Sequence, residues 1–394
     1  MSVTAAQGWR AAAVRAGIKP SGDLDLALVV SDAPATVAGA FTTNKVAGAP
    51  VQLCRPRVAG GRARGVVVSA GIANVATGEA GLRDAERMAD AAADAVGVSR
   101  AEMLVSSTGL IGPRIPMDRV LPAIGDAAAV LSTDGGEPAA RAIMTTDTRP
   151  KMSVRHLDLD GRRVTVGGMA KGAGMICPRM AAAQATMLVF ITTDAVASKA
   201  TLAAAIGAHL DTTFNSITVD GCTSTSDTVL LFANGASGAD VDGHAGFVDS
   251  VGEVMAELAY AVVADGEGAS KVIRIRVSGA ASDDQARVAA REIANSVLFR
   301  AAIWGGDPNW GRVAQALGQA PGLELDPDRL DVTIGGVLLA SRGEQTRRED
   351  EAAATLEASE VVVEAELGRG SGAWEILTCD LSPDYVRFNA DYTT

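Results

Sequence analysis

The stretch Gly167-Gly168-Met169-Ala170-Lys171-Gly172-Ala173-Gly174-Met175-Ile176-Cys177-Pro178-Arg179-Met180-Ala181-Ala182-Ala183-Gln184-Ala185-Thr186-Met187-Leu188-Val189-Phe190-Ile191-Thr192-Thr193-Asp194-Ala195 is the most informative part of the chain. A lysine sits in a flexible glycine loop, a run of small residues follows, and an Ala-Thr pair leads directly into an apolar run. Met187 to Ile191 is short, continuous and β-rich, which predicts a strand buried on both faces. Just upstream, 154–158 and 163–166 flank Asp160-Gly161, a dipeptide that favours a two-residue hairpin.

Outward from this stretch, strand and helix patterns alternate. Residues 26–30, 65–69, 103–106, 229–232, 272–277 and 361–365 read as strands. Residues 79–97, 117–131, 137–144, 196–211 and 245–264 read as helices. There is no internal repeat and no low-complexity linker. The mixture predicts an α/β or α+β fold of layered sheets covered by helices. Aromatic residues make up 4% of the 394 positions, so the core must be built from Ala, Val, Leu and Ile.

Composition removes several function classes. Apolar residues at 48% and charged residues at 21% fit a globular chain rather than a disordered one. The net charge of −12 argues against a nucleic-acid partner, which requires a basic face. No apolar run approaches the ~18 residues of a membrane span, and the first ten residues lack the apolar core of a secretory signal; a cytoplasmic protein is expected. Cys54, Cys177, Cys222 and Cys379 are far apart without a C-x-x-C, as in reduced thiols. His156, His209 and His244 have no second ligand at metal spacing, so neither a metal site nor a histidine base is expected. No P-loop occurs. Gly172-Ala173-Gly174 has Cys177 where a dinucleotide fingerprint needs its third glycine, and Gly368-Arg369-Gly370-Ser371-Gly372 reads as a turn between strands.

The Ala185-Thr186 pair admits two readings. It can be a loop feeding a core strand. It can also be a site of self-cleavage, in which Thr186 Oγ attacks the Ala185 carbonyl and water resolves the resulting ester. The new Thr186 would carry an α-amine with a pKa of roughly 7.7–8.0 that can serve as base for its own hydroxyl. That mechanism needs no histidine.

Several segments now carry a resemblance. They are Ser107-Thr108-Gly109-Leu110-Ile111-Gly112, Ala142-Ile143-Met144-Thr145-Thr146-Asp147-Thr148, Met169-Ala170-Lys171-Gly172-Ala173-Gly174-Met175 and Ala185-Thr186-Met187-Leu188. They continue with Ser224-Thr225-Ser226-Asp227-Thr228, Asp265-Gly266-Glu267-Gly268, Gly306-Asp307-Pro308-Asn309-Trp310-Gly311-Arg312-Val313, and a C-terminus from Cys379-Asp380-Leu381-Ser382 through Tyr385-Val386 to Asn389-Ala390-Asp391-Tyr392-Thr393-Thr394. In this order, over essentially the whole chain, they resemble the ornithine acetyltransferases, or glutamate N-acetyltransferases, of the arginine-biosynthesis type.

The resemblance implies a self-cleaving enzyme with an N-terminal threonine nucleophile. Its fragments would be residues 1–185 and 186–394, remaining together as an α2β2 heterotetramer. It implies ping-pong transfer of acetyl from N-acetylornithine to glutamate through an acetyl-Thr186 ester, with no metal or redox cofactor and no nucleic-acid or membrane partner. By position, Thr186 is the nucleophile and Thr108 and Gly109 the oxyanion hole, where the Gly109 N–H and the Thr108 hydroxyl or N–H are suitable donors. Thr145, Lys171, Glu267, Asn389 and Thr394 are substrate-binding positions with Thr186. A lysine ammonium suits a carboxylate substrate, and Glu267 suits a substrate ammonium. Asp307 to Arg312 carries no catalytic assignment.

Two departures stand out. Pro178-Arg179-Met180-Ala181 is followed by four residues, Ala182 to Ala185, that the family pattern lacks. Ala and Gln favour helix, and a helical turn there would shield the Ala185 carbonyl; alternatively the extra residues only lengthen the first fragment's tail. The other is Ala73-Asn74-Val75-Ala76-Thr77-Gly78, where many relatives have a cysteine before Thr-Gly. Two competing readings remain: a self-processing amidase or aminopeptidase passing the acyl group to water, and a non-catalytic binding protein disabled by the insertion. Use of acetyl-CoA as a further donor would make the enzyme bifunctional.

Overall fold

In the computed structural model, which describes residues 2–178 and 187–391, Asp160 (φ 50°) and Gly161 (φ 75°) form the tight link between two antiparallel strands. Two successive positive φ angles are what a type I′ turn requires, and its twist matches that of the paired strands.

By internal contacts the chain divides into two units. One comprises Met1–Asn215 and Thr223–Val262, the other Ser216–Cys222 and Val263–Thr393. The elements of the first are, in order, β1 (Trp9–Val14), β2 (Leu26–Phe41), α1 (Ala49–Ala59), β3 (Arg62–Ile72), α2 (Gly78–Val96), β4 (Met103–Leu110), α3 (Met117–Ala129), α4 (Gly136–Ala142), β5 (Lys151–Leu159), β6 (Arg162–Lys171), β7 (Leu188–Thr193), α5 (Lys199–Leu210), β8 (Thr228–Ala233) and α6 (Ala245–Val263). Seven strands form one sheet in the order β4-β3-β2-β8-β7-β6-β5, and β1 pairs with β2. Helices α1 to α4 pack on the β1–β4 end and α5 on β2 and β8. Val254 and Leu258 of α6 lie beside Gly168 of β6.

The apolar runs are continuous because the central strands are covered on both faces. Every residue of β7 and of β8 is buried, as is every residue from Leu26 to Ser31 of β2. Strand β2 serves two neighbours by bending. Its first half pairs with β3, its second with β8, and the register shifts between Val30 and Ala35. Pro34, which has no N–H to offer a ladder, falls inside that irregularity. Trp9 meets the Phe232 ring edge-on at 5.7 Å and donates its indole N–H to the Thr193 carbonyl, so burying it strands no polar atom. Elsewhere α2 turns Ala85, Met88, Ala89, Ala92 and Ala93 inward. These mostly small side chains let a helix approach a sheet in a chain poor in aromatics.

The second unit contains β9 (Val272–Ala280), α7 (Asp283–Asn295), α8 (Val297–Trp304), α9 (Trp310–Gly318), β10 (Asp331–Ile334), β11 (Val337–Ser341), β12 (Glu344–Gln345), α10 (Glu349–Thr355), β13 (Glu360–Glu366), β14 (Gly372–Cys379) and α11 (Pro383–Asp391). Its six-stranded sheet runs β12-β11-β10-β13-β9-β14, with β13 and β9 parallel. Here the pattern alternates. Ile273, Ile275 and Val277 face a core shared with α7. Arg274 and Arg276 stand on the other face, paired with Glu360 and Glu375 at 2.7 and 2.8 Å. One face is covered and one is wet. Helices α7, α8 and α9 start at caps Ser282, Ser296 and Asn309, whose side chains accept backbone N–H bonds. The Asp307–Arg312 motif thus has a helix-starting role.

Candidate functional site

The residues singled out in the sequence fall into three groups. Thr108, Gly109, Thr145 and Lys171 lie in the first unit and are described below. Glu267 and Asn389 lie in the second. Ala185, Thr186 and Thr394, with the four-residue insertion, lie outside the described residues.

Lys171 is the last residue of β6, not a member of a loop; the glycine loop begins after it at Gly172. The residue before it, Ala170, is opposite Lys151 of β5, and Lys171 itself is opposite Leu188 of β7. Leu188 is two residues along the chain from Thr186. Met187, between them, is buried, and its carbonyl accepts the Thr228 N–H at 2.7 Å. The side chain of Lys171 is itself nearly buried and donates to Thr145 Oγ1 at 2.8 Å and to Thr108 Oγ1 at 3.3 Å.

Thr108 and Gly109 come from the C-terminal end of β4, which runs parallel to β3 with Gly109 opposite Gly71. Gly109 has φ 125°, and a Cβ there would stand 2.2 Å from the Gly71 carbonyl carbon. Only glycine fits, for both conformation and space. Thr145 lies in the segment after α4.

Sequence reasoning gave no role to the residue that ties these together. Asp147 is buried between two lysines. Its Oδ1 accepts from Lys151 Nζ at 2.6 Å and from the Gly172 N–H at 2.6 Å; its Oδ2 accepts the Thr145 N–H at 3.0 Å and lies 3.9 Å from Lys171 Nζ. Burial by itself would raise the Asp147 pKa. The charges of Lys171 and Lys151, with these hydrogen bonds, outweigh it and hold the carboxyl down to about 2. The available signal was Asp147 inside the Thr145–Thr148 motif with Lys151 four residues on. A third lysine, Lys19, donates to the Leu24 and Ala142 carbonyls. Its pKa is lowered, first by burial and in smaller part by Lys171. An anion-seeking, hydroxyl-lined site results, one suited to a carboxylate and to an oxygen that gains negative charge.

In the second unit, Glu267 occupies the turn between α6 and β9, and its Oε2 accepts from Asn389 Nδ2 of α11 at 2.9 Å. Asn389 Nδ2 also donates to the Tyr385 carbonyl at 3.0 Å. Two residues separated by more than a hundred positions in the chain are thus in direct contact. The Tyr385 phenol is pushed up to about 12, by burial first and then by the negative charges of Asp220, Cys222 and Glu267.

The model of the ArgJ family matches residues 10–394. The arginine biosynthesis bifunctional protein ArgJ of Symbiobacterium thermophilum is 46% identical over 400 residues, covering all of this chain and 98% of its own. That of Thermus thermophilus is 46% identical over 398 residues, covering both chains completely. Among solved structures, ornithine acetyltransferase complexed with ornithine from Mycobacterium tuberculosis is 43% identical, covering 46% of this chain and 96% of its own, with a TM-score of 0.42. The family match and the full-length identities extend over every segment quoted from the sequence, and the chain belongs to the ArgJ family, the ornithine acetyltransferases, and is an acyltransferase.

Proposed function

We propose that this chain cuts itself between Ala185 and Thr186 and then moves an acetyl group from N-acetylornithine to glutamate by way of an acetyl-Thr186 ester. The observation that carries the reading is Lys171. It is bonded to Thr145 and Thr108, beside Gly109, and it stands opposite the residue two positions after Thr186. A lysine, two hydroxyls and a glycine N–H are gathered at the strand that Thr186 precedes.

In the first reaction Thr186 Oγ adds to the Ala185 carbonyl, the amide nitrogen leaves as the Thr186 amine, and water hydrolyses the ester. In the second, that amine takes the Thr186 hydroxyl proton as the oxygen adds to the acetyl carbonyl of N-acetylornithine. Gly109 and Thr108 stabilise the oxyanion. The ornithine nitrogen departs with a proton, leaving the ester. Glutamate's amine then attacks that ester, and the Thr186 oxygen recovers its proton. Lys171 and Thr145 hold the substrate carboxylate, and Glu267, with Asn389, takes an ammonium; Thr394 is retained as a binding position.

The fragments 1–185 and 186–394 would not drift apart on cleavage. Pairings β6–β7 and β2–β8 both cross that boundary and bury all of β7 and β8. Two copies of each fragment, in the cytoplasm, complete the reading. Among the described residues no helix is long and apolar enough to cross a membrane.

The test is transfer of labelled acetyl from N-acetylornithine to glutamate. Transfer with a ping-pong pattern is expected; release of free acetate in its place would replace this reading with a hydrolase. The curated relatives carry the word bifunctional in their names, and acetyl-CoA offered as sole donor to glutamate tests a second activity.

A further inference from the structure

Lys171 has three N–H groups and no acceptor. Its bonds at 2.8 and 3.3 Å therefore place Thr145 Oγ1 and Thr108 Oγ1 as acceptors. Each hydroxyl hydrogen must then point away from the ammonium. Among the described residues neither hydroxyl has an acceptor for that hydrogen. Lys171 in turn faces Asp147, whose other contacts leave it little freedom: Lys151 and the Gly172 N–H hold Oδ1, and the Thr145 N–H holds Oδ2.

From this arrangement we propose that Asp147 is a positioning residue. Acting through Lys171, it sets the direction of the Thr108 hydroxyl, so that the oxyanion donor contributed by Thr108 is its O–H. The inference rests on the proposed oxyanion role of Thr108 and settles which of its two donors serves. The physical logic is a chain of polarised bonds. A fixed carboxylate orients the ammonium, the ammonium occupies a lone pair on Oγ1, and the remaining hydrogen is freed and made a stronger donor. The same carboxylate bonds the backbone of Thr145 and of Gly172, the residue after Lys171, so it also fixes the two segments that present the partners. No proton is transferred along this chain; Asp147 stays ionised, Lys171 stays charged, and only the direction of one hydrogen is determined.

The experiment is a double-mutant cycle on the processed enzyme. Acetyl-enzyme formation is read as the first-turnover release of ornithine from N-acetylornithine, in wild type, Asp147→Asn, Thr108→Val and the double variant. Asp147→Asn is expected to slow the step about 10- to 100-fold, within the range of a lost oxyanion donor, with KM for N-acetylornithine changed less than about three-fold. Asp147→Glu, which restores the charge, should recover part of the rate. The double variant should be no slower than Thr108→Val alone, because both changes remove the same donor. A wild-type rate in Asp147→Asn, or single effects that multiply in the double variant, overturns the inference while leaving the function intact. A wild-type rate in Thr108→Val overturns the oxyanion assignment itself. Should Asp147→Asn fail to fold, Asp147→Ser, which also removes the charge, carries the same cycle with the same outcomes.

Discussion

Lys171 of β6 stands opposite Leu188 of β7 in an antiparallel pair, which brings the ammonium-bearing end of one strand to the start of the next. Removing that ammonium tests whether it serves the substrate or the fold. Lys171→Ala leaves Asp147 still bonded to Lys151, Gly172 and Thr145, so the variant should fold. Its kcat/KM for N-acetylornithine should fall about 10- to 100-fold, the loss of a charge-assisted contact worth about 1.5–3 kcal/mol. Steady-state kinetics beside a melting curve separate the two effects, and unchanged kinetics would remove Lys171 from the site.

Gly109 meets Gly71 too closely for any side chain, and its φ of 125° is one that L residues avoid. Gly109→Ala should cost about 2–5 kcal/mol in stability from strain and overpacking and should lose acetyl transfer with it. Urea unfolding measures the first and the transfer assay the second. A variant that keeps both wild-type stability and wild-type rate contradicts this geometry.

Asp147 predicts a pH dependence of stability. Its folded pKa of about 2 lies below the usual 3.8. Between these values the unfolded chain binds more protons than the folded one, so stability rises with pH. The contribution, about 2 kcal/mol, is complete above about pH 5 and is lost as pH falls through about 2. The stability difference between wild type and Asp147→Asn, measured by urea unfolding at pH 5 and at pH 2.5, should therefore narrow at the lower pH. A gap that stays constant would show that the charge of Asp147 contributes nothing to folding.

Much of this was legible from the chain. The continuous apolar runs at 26–30, 187–191 and 229–232 gave doubly covered strands, and Asp160-Gly161 gave its hairpin. Strand β1 and helix α1 were not read. Half of the first is alanine, and the second has Pro56 within it. Helices α7 and α9 also escaped, although α7 buries Ala286, Ala289, Ala290 and Ile293 at helical spacing; the strands β10 to β12 are too short to show a pattern, and their burial depends on tertiary neighbours. Lys171, which its glycine neighbours suggested to be in a loop, is held at the end of a strand by its pairing with Leu188 of β7. In the site, motif spacing could name Thr108, Thr145 and Lys171, but the role of Asp147 appears only when β6 and the segment after α4 meet.

The four cysteines give a chemical check on burial. Cys54 and Cys379 are buried, and burial pushes both thiols up to about 11; Cys177 is buried as well, while Cys222 is exposed. A thiol reagent at pH 8 should modify one cysteine quickly in the native protein, and Cys222→Ser should abolish that fast phase. More than one fast thiol would contradict the packing around the other three.

The central claim is the chain break before Thr186, and intact mass measurement under denaturing conditions tests it most directly. Wild-type protein should give two polypeptides of 185 and 209 residues, the second starting Thr186-Met187-Leu188, whereas Thr186→Ala should give one uncut chain with no transfer. A single 394-residue polypeptide that nonetheless passes acetyl from N-acetylornithine to glutamate would contradict the account.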